Sequence, residues 1–97
     1  MLPAAFRPRT LVVLTEMSSR DRARLSPSER TRLALLYEAA SARWERAGYR
    51  TMVVGGDFAP EDYFDLNHFT DKGGAKLARA VAAPVRELAG DATGAAR

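Results

Sequence analysis

The sequence predicts a small α/β fold in which two parallel strands alternate with two helices in the order β-α-β-α. Two short apolar runs, at residues 10–15 and 49–54, are rich in β-branched side chains and have the length of buried strands. A longer stretch with helical apolar periodicity separates them. Because such a helix carries the chain back along the sheet, we expect the two strands to be parallel.

The first part of the chain leads into this unit. Residues 1–9 hold two prolines and two arginines, which predict an irregular lead-in. The run at 10–15 is the first strand, and its continuous apolar character predicts burial on both faces. Residues 16–25 are mostly polar and are expected to connect this strand to the helix while covering the carboxyl edge of the sheet.

The long helix has a well-marked start and end. Ser26 suits the N-cap, Pro27 suits the first helical position, and Glu29 stands where a capping box requires an acidic side chain. Gly48 suits the position that ends the helix. The apolar residues between these limits recur every three or four positions and predict one buried stripe: Leu33, Leu36, Tyr37, Ala40, Trp44 and Ala47.

The second strand leads directly to the candidate site. Residues 49–54 form this strand, and Gly55 and Gly56 end it. Parallel strands joined by a helix finish at the same edge of the sheet, where α/β proteins place their functional groups. The acidic loop 57–68 leaves that edge, so we expect any functional site to lie in this loop.

The last helix is predicted to begin at Thr70, which can cap it. Gly73 and Gly74 in its first turn indicate close packing against the sheet edge or a loop, and Pro84 should kink or interrupt it. Residues 90–97 are expected to be a disordered tail. The predicted buried stripe consists of Leu77, Val81, Val85 and Leu88.

Composition bounds the class of protein. The 97 residues suffice for a single domain, and no apolar run has the length of a membrane span or the pattern of a signal peptide. Residues 1–50 carry ten Arg and five acidic residues, whereas residues 51–97 carry five basic and seven acidic residues. The arginines are interleaved with acidic residues, so we expect a solvated face and no nucleic-acid partner. The lack of cysteine excludes disulfides and thiolate catalysis.

The chain's only histidine, His68, stands three residues after Asp65. At this spacing on one turn, the Asp65 carboxylate can accept a hydrogen bond from Nδ1 of the imidazole. Nε2 is then left to act as a general base, as in the orienting half of a Ser-His-Asp triad. The pair is therefore the candidate catalytic site.

The residues around this pair resemble the last sequence block of SGNH/GDSL-type hydrolases, a family of lipases, esterases and carbohydrate O-acetyl esterases or transferases. Asp65 and His68 follow a strand, and Thr70 and Gly73 come after them at the family's offsets, ahead of a helix. The resemblance covers roughly residues 10–89. It implies a partial three-layer, flavodoxin-like fold in which Asp65 orients the imidazole and His68 is the general base. It implies an ester or acyl substrate. We expect no cofactor or metal.

The resemblance also shows what these residues lack. The family's nucleophile block, Gly-Asp-Ser after a first strand, is not present, and neither are the later Gly and Asn of the oxyanion hole. Ser18 and Ser19 follow a strand, but no Gly-Asp precedes them. We therefore expect residues 1–97 to be one incomplete α/β domain, the C-terminal segment of such an enzyme. It should be inactive alone, and further strands should complete it, either on the same polypeptide or on a partner chain.

Two other interpretations remain open. The acidic side chains of the loop, together with the histidine, could gather around a divalent cation, although the ligand spacing is loose: Asp57, Asp62, Asp65 and His68. Alternatively, the chain is a small non-catalytic α/β interaction module, whose sheet edge and helix faces dock a partner protein while the pair of Asp65 and His68 is incidental.

Overall fold

The computed structural model describes residues 2–65 and 68–94, which form a mixed fold of helices and two parallel strands. The predicted β-α-β-α order is confirmed, with a one-turn helix added in the first connection. In chain order the elements are a 3₁₀ helix (Ala4–Arg9), β1 (Leu11–Thr15), α1 (Ser19–Arg22), α2 (Pro27–Arg46), β2 (Arg50–Val54), a 3₁₀ turn (Pro60–Asp62) and α3 (Asp71–Gly94).

The two strands pair in parallel along their whole length, as predicted. Leu11 lies opposite Arg50, and Thr15 lies opposite Val54. The ladder continues for one more bond, because the Glu16 amide donates to the Val54 carbonyl over 2.9 Å. Both strands therefore end together, and the loops that follow them start from one common edge.

The local signals at both ends of α2 are confirmed. The Glu29 amide donates to Ser26 Oγ, and the Ser26 amide donates back to the Glu29 carboxylate, which forms the predicted capping box. The bond from the Ser26 backbone holds the pKa of Glu29 below its usual value. At the other end, Gly48 has φ +99°, a left-handed conformation that favours glycine just after a helix.

The predicted stripe of α2 is less buried than its periodicity indicates. Leu36 is 61% exposed, and the other stripe residues are half-buried. The strand β1, predicted to be buried on both faces, is also half-buried at all five positions. The physical reason is the width of the sheet: two strands about 5 Å apart cannot cover a helix of about 30 Å.

The main core lies between the sheet and the first half of α3. Val54, Phe58 and Tyr63 form a buried cluster, against which Val13 and Met52 of the sheet and Leu77 and Ala80 of α3 pack. Side chains alternate along β2, so Val53, which precedes Val54, points to the opposite face of the sheet. There it lines a groove together with residues of α2. The two long helices therefore lie on opposite faces of the sheet.

The two ends of the chain are more regular than predicted. Residues 4–9, expected to be irregular, form the 3₁₀ helix, and the Arg7 side chain ties it to the Ala47 carbonyl over 3.2 Å. The helix α3 continues through Pro84 without interruption and through residues 90–94 of the expected tail, whereas residues 95–97 lie outside the described part. Leu88, one turn after Pro84, is buried and lines a shallow pocket together with Leu11 of β1.

The molecule is more extended than a domain of this length usually is. Its radius of gyration is 15.5 Å, whereas about 12.5 Å is typical of 97 residues. Its accessible surface is 6554 Å², against about 5,500 Å² expected for this mass. The two helices and two strands thus leave surface uncovered that a closed domain would bury.

Candidate active site

The site loop is tied to the ends of both strands through one tyrosine. The Tyr63 hydroxyl lies 3.0 Å from the Glu16 carbonyl and 3.2 Å from the Gly55 carbonyl, which are the first residues beyond β1 and β2. Burial raises the pKa of Tyr63, which keeps the hydroxyl protonated as a donor. Gly55 has φ +113°, and a Cβ there would lie 2.6 Å from the Tyr63 hydroxyl oxygen. A glycine is required here both for backbone conformation and for space.

The first connection covers the same edge, as predicted. Ser19 of α1 donates its hydroxyl to the Phe58 carbonyl over 3.2 Å. Arg22, also on α1, pairs with Glu16 and donates to the Gly56 carbonyl. These bonds hold the segment 55–58 against α1 and so fix the start of the site loop.

The candidate pair lies on two short antiparallel segments, residues 63–65 and 68–69, which together are called the turn. Tyr63 and Phe69 form an isolated antiparallel bridge, and the centroids of their rings lie 5.0 Å apart. One step further along, the Phe64 amide donates to the His68 carbonyl over 2.8 Å. These contacts close the base of the turn and bring Asp65 and His68 to the same side of it.

Asp65 and His68 lie within hydrogen-bond reach, as their spacing predicts. Nδ1 of His68 is 2.9 Å from Oδ1 and 3.0 Å from Oδ2 of Asp65, and the His68 amide also donates to Oδ1 over 3.0 Å. One carboxylate thus orients the ring and stabilises the turn. Because Nδ1 faces the carboxylate, Nε2 is the nitrogen that can exchange a proton with a substrate or nucleophile. The His68 side chain is 73% exposed, so it is accessible.

The base of the turn rests on Asp62, a residue whose role sequence analysis did not identify. This residue is fully buried, and its Oδ2 accepts bonds from the Ala59 amide over 2.8 Å and from Lys76 Nζ over 2.6 Å. The Lys76 ammonium holds the pKa of the Asp62 carboxyl below its usual value, although burial alone would raise it. The only sequence signal is local: a carboxylate three residues after Ala59 can accept its amide at the start of the 3₁₀ turn.

The start of α3 packs directly on this aspartate. The Thr70 amide donates to the Asp62 carbonyl over 2.9 Å, and the Thr70 hydroxyl caps the helix by accepting from the Gly73 amide over 3.2 Å. A Cβ at Gly73 would lie 2.0 Å from the Asp62 carbonyl oxygen, whereas one at Gly74 would meet no atom within 4 Å. The predicted close packing of the glycine pair is therefore confirmed for Gly73 alone.

The serines near the edge have other roles. Ser18 is fully buried, so a substrate cannot reach its hydroxyl in this conformation, and the Ser19 hydroxyl is bonded to the loop. The alternative of a cation site gains no support from the geometry. Residues 2–65 and 68–94 contain no cluster of three or more potential metal-ligating side chains of His, Asp or Glu, and Asp62 is bound to Lys76 instead.

The ion pair of Asp62 and Lys76 predicts a pH dependence of stability. Because the pKa of Asp62 is lower in the folded chain than in the unfolded chain, its ionisation stabilises the fold above the unfolded value of about 3.9. This contribution is lost as the pH falls through the folded pKa. We expect the urea midpoint to be lower at pH 3 than at pH 6, and to depend less on pH in Lys76→Met. Equal midpoints of the wild-type chain at the two pH values would contradict the expectation.

Within the described ranges, no helix is both long and apolar enough to cross a membrane. Comparison of the chain with models of known protein families, with curated proteins and with solved structures finds no match.

Proposed function

We propose that this chain supplies the Asp–His part of a Ser-His-Asp triad in an SGNH-type ester hydrolase or O-acyltransferase. The observation that carries the proposal is the bond between the Asp65 carboxylate and Nδ1 of His68. Further support comes from its place in the fold, since the loop carrying the pair follows the second of two parallel strands and is tied to the ends of both through Tyr63.

The chemistry would be acyl transfer through a covalent intermediate. A serine hydroxyl outside these 97 residues attacks the carbonyl carbon of an ester while Nε2 of His68 takes its proton. Asp65 stabilises the imidazolium that forms. The imidazolium then returns the proton to the leaving alkoxide, which departs as an alcohol and leaves an acyl-enzyme. Water or a sugar hydroxyl attacks this acyl group in turn, again with His68 as the base, and the serine is released.

The extended shape and the small sheet are consistent with additional polypeptide that would carry the nucleophile. The described residues form a sheet of two strands, most of whose residues are half-buried, whereas sheets of globular proteins usually have about four to six strands. We propose that further strands, on the same polypeptide or on a partner chain, pair with this sheet and bring the nucleophilic serine and the oxyanion hole to the carboxyl edge. This arrangement would also cover the surface that the present fold exposes.

The decisive experiment is active-site labelling of the native product. The protein is isolated from its source with an antibody against this chain, treated with a fluorophosphonate probe, and digested for mass spectrometry. We expect the probe on a serine outside residues 1–97, in the same polypeptide or in a chain that copurifies. Labelling should be lost in His68→Ala and retained in Ser18→Ala.

Two results would overturn the proposal. One is a native product that does not react with the probe, and the other is labelling that persists unchanged in His68→Ala. The isolated chain provides a further control: it should not be labelled by the fluorophosphonate probe, because it holds no activated serine.

A second candidate function is a non-catalytic interaction module. It is favoured by the apolar surface of α2, where Leu35 and Leu36 are 58% and 61% exposed, and by an open groove of about 600 Å³ between α2 and β2. That groove lies apart from Asp65 and His68. A native product that does not react with the probe but binds a stoichiometric partner through α2 would favour the interaction module.

A further inference from the structure

We infer that buried Asp62 and its half-buried partner Lys76 form a positioning pair that sets the orientation of the His68 imidazole through the base of its turn. The catalytic meaning of this pair rests on the proposed function, but the positioning itself is a property of the chain alone. Neither residue belongs to the Asp65–His68 contact, so the pair acts through the backbone that carries it.

Asp62 connects three segments at one buried point. Its Oδ2 joins the Ala59 amide, at the start of the loop, to Lys76 in the second turn of α3. Its carbonyl accepts the Thr70 amide, at the residue that caps α3. The two arms of the turn therefore leave from Asp62 and return to it, and the distance between them is set by these bonds.

The path from this point to the imidazole is short. Tyr63, the next residue, pairs with Phe69, which precedes Thr70. The bond between the Phe64 amide and the His68 carbonyl is the next step of the same ladder. A shift of α3 relative to Asp62 would therefore separate the arms of the turn and change the distance between Nδ1 and the Asp65 carboxylate.

A buried carboxylate makes this connection sensitive to its partner. Burial of a charge is costly unless an opposite charge and hydrogen bonds compensate it. Both side-chain bonds pass through Oδ2, and among the described residues Oδ1 has no hydrogen-bond partner. Removal of the ammonium of Lys76 leaves one amide bond to the carboxylate, which must then reach solvent or take up a proton. In either case the side-chain bond between Asp62 and α3 is lost.

The same helix offers a matched control one turn earlier. Lys72 pairs with Glu61 over 3.3 Å, and both side chains are about 60% exposed. An exposed pair of this kind is screened by water and contributes little to structure. Lys72→Met removes the same charge as Lys76→Met from the same helix, yet we expect no effect on the turn.

The experiment uses the single imidazole as its own reporter. Because the chain has one histidine, its ¹⁵N ring resonances need no further assignment. The 97-residue chain is measured above the pH at which the ring is protonated. We expect well-separated Nδ1 and Nε2 shifts, with the proton on Nδ1 facing Asp65. In Lys76→Met the separation should fall to half or less because the tautomers mix, and it should remain as in the wild type in Lys72→Met. Lys76→Arg, which keeps the charge, should retain most of the wild-type separation between the two shifts.

A second variant decides the case in which Lys76→Met does not fold. The double variant Asp62→Asn, Lys76→Met leaves no unpaired buried charge and keeps an acceptor for the Ala59 amide, so it should fold. It still lacks the side-chain bond from residue 62 to residue 76 of α3, and the tautomers should mix. Wild-type ring shifts in a folded Lys76→Met or double variant would overturn the positioning role without touching the proposed function. Conversely, failure of the probe to label the native product leaves these ring shifts as predicted.

Discussion

Gly73→Ala is expected to lower the free energy of unfolding by about 3 kcal/mol or more, because its Cβ would lie 2.0 Å from a backbone oxygen, that of Asp62. A backbone atom cannot rotate away as a side chain does, so α3 must move as a unit from the loop. A domain of this size has only about 5–15 kcal/mol of stability in total. The loss is measured by urea denaturation, followed through the fluorescence of Trp44, the only tryptophan.

Gly74→Ala is the matched control for this prediction. It adds the same methyl group one residue later in the same turn, where no atom lies within 4 Å of the new Cβ. The better helix propensity of alanine should raise the free energy of unfolding by up to about 1 kcal/mol. Equal effects of the two substitutions would show that α3 does not pack on Asp62 as described.

Asp65→Asn is expected to lower kcat of the completed enzyme by about 10⁴ while KM changes little. The asparagine keeps the size of the side chain but cannot stabilise the imidazolium, and its amide can hold Nδ1 as an acceptor, which puts the ring proton on the wrong nitrogen. The measurement is the steady-state hydrolysis of a short-chain ester by the native assembly. His68→Ala should show a loss of similar size.

The control for this prediction is Asp57→Asn, which removes a carboxylate from the same loop at an exposed position. It should leave kcat within about a factor of two, since no contact connects Asp57 to the imidazole in the described structure. The double variant Asp65→Asn, His68→Ala should be no slower than the slower single variant, because the two residues act as one unit. A kcat of Asp65→Asn within tenfold of the wild type would remove Asp65 from the catalytic role.

The contact within the site was predictable because it is local. Asp65 and His68 are three residues apart, and the capping box of α2 also depends on residues three apart, so both follow from the reach of short side chains along one turn. The parallel pairing of the strands was predictable for a related reason, since the helix between them fixes the direction in which the chain returns.

Only the tertiary structure identified Asp62 as the residue that supports the site. In the sequence it was one of several acidic side chains in the loop and a candidate metal ligand. Its burial depends on Lys76, fourteen positions later, and on the approach of Gly73. Residues so far apart in the chain meet only when α3 docks, and no short-range pattern encodes that distance.

By itself the sequence determined the order of the elements, the ends of α2, the parallel strands and the pairing of Asp65 with His68. The tertiary structure alone decided which predicted apolar positions are covered, how α3 continues past Pro84, and which buried contacts hold the turn. Local patterns express interactions within one or two helical turns, whereas burial depends on how much surface the other elements can cover. Here two strands cover little of the helix surface, so Leu36 is exposed although its periodicity predicts burial. The contacts between residues three apart do not depend on that cover, and they form as predicted.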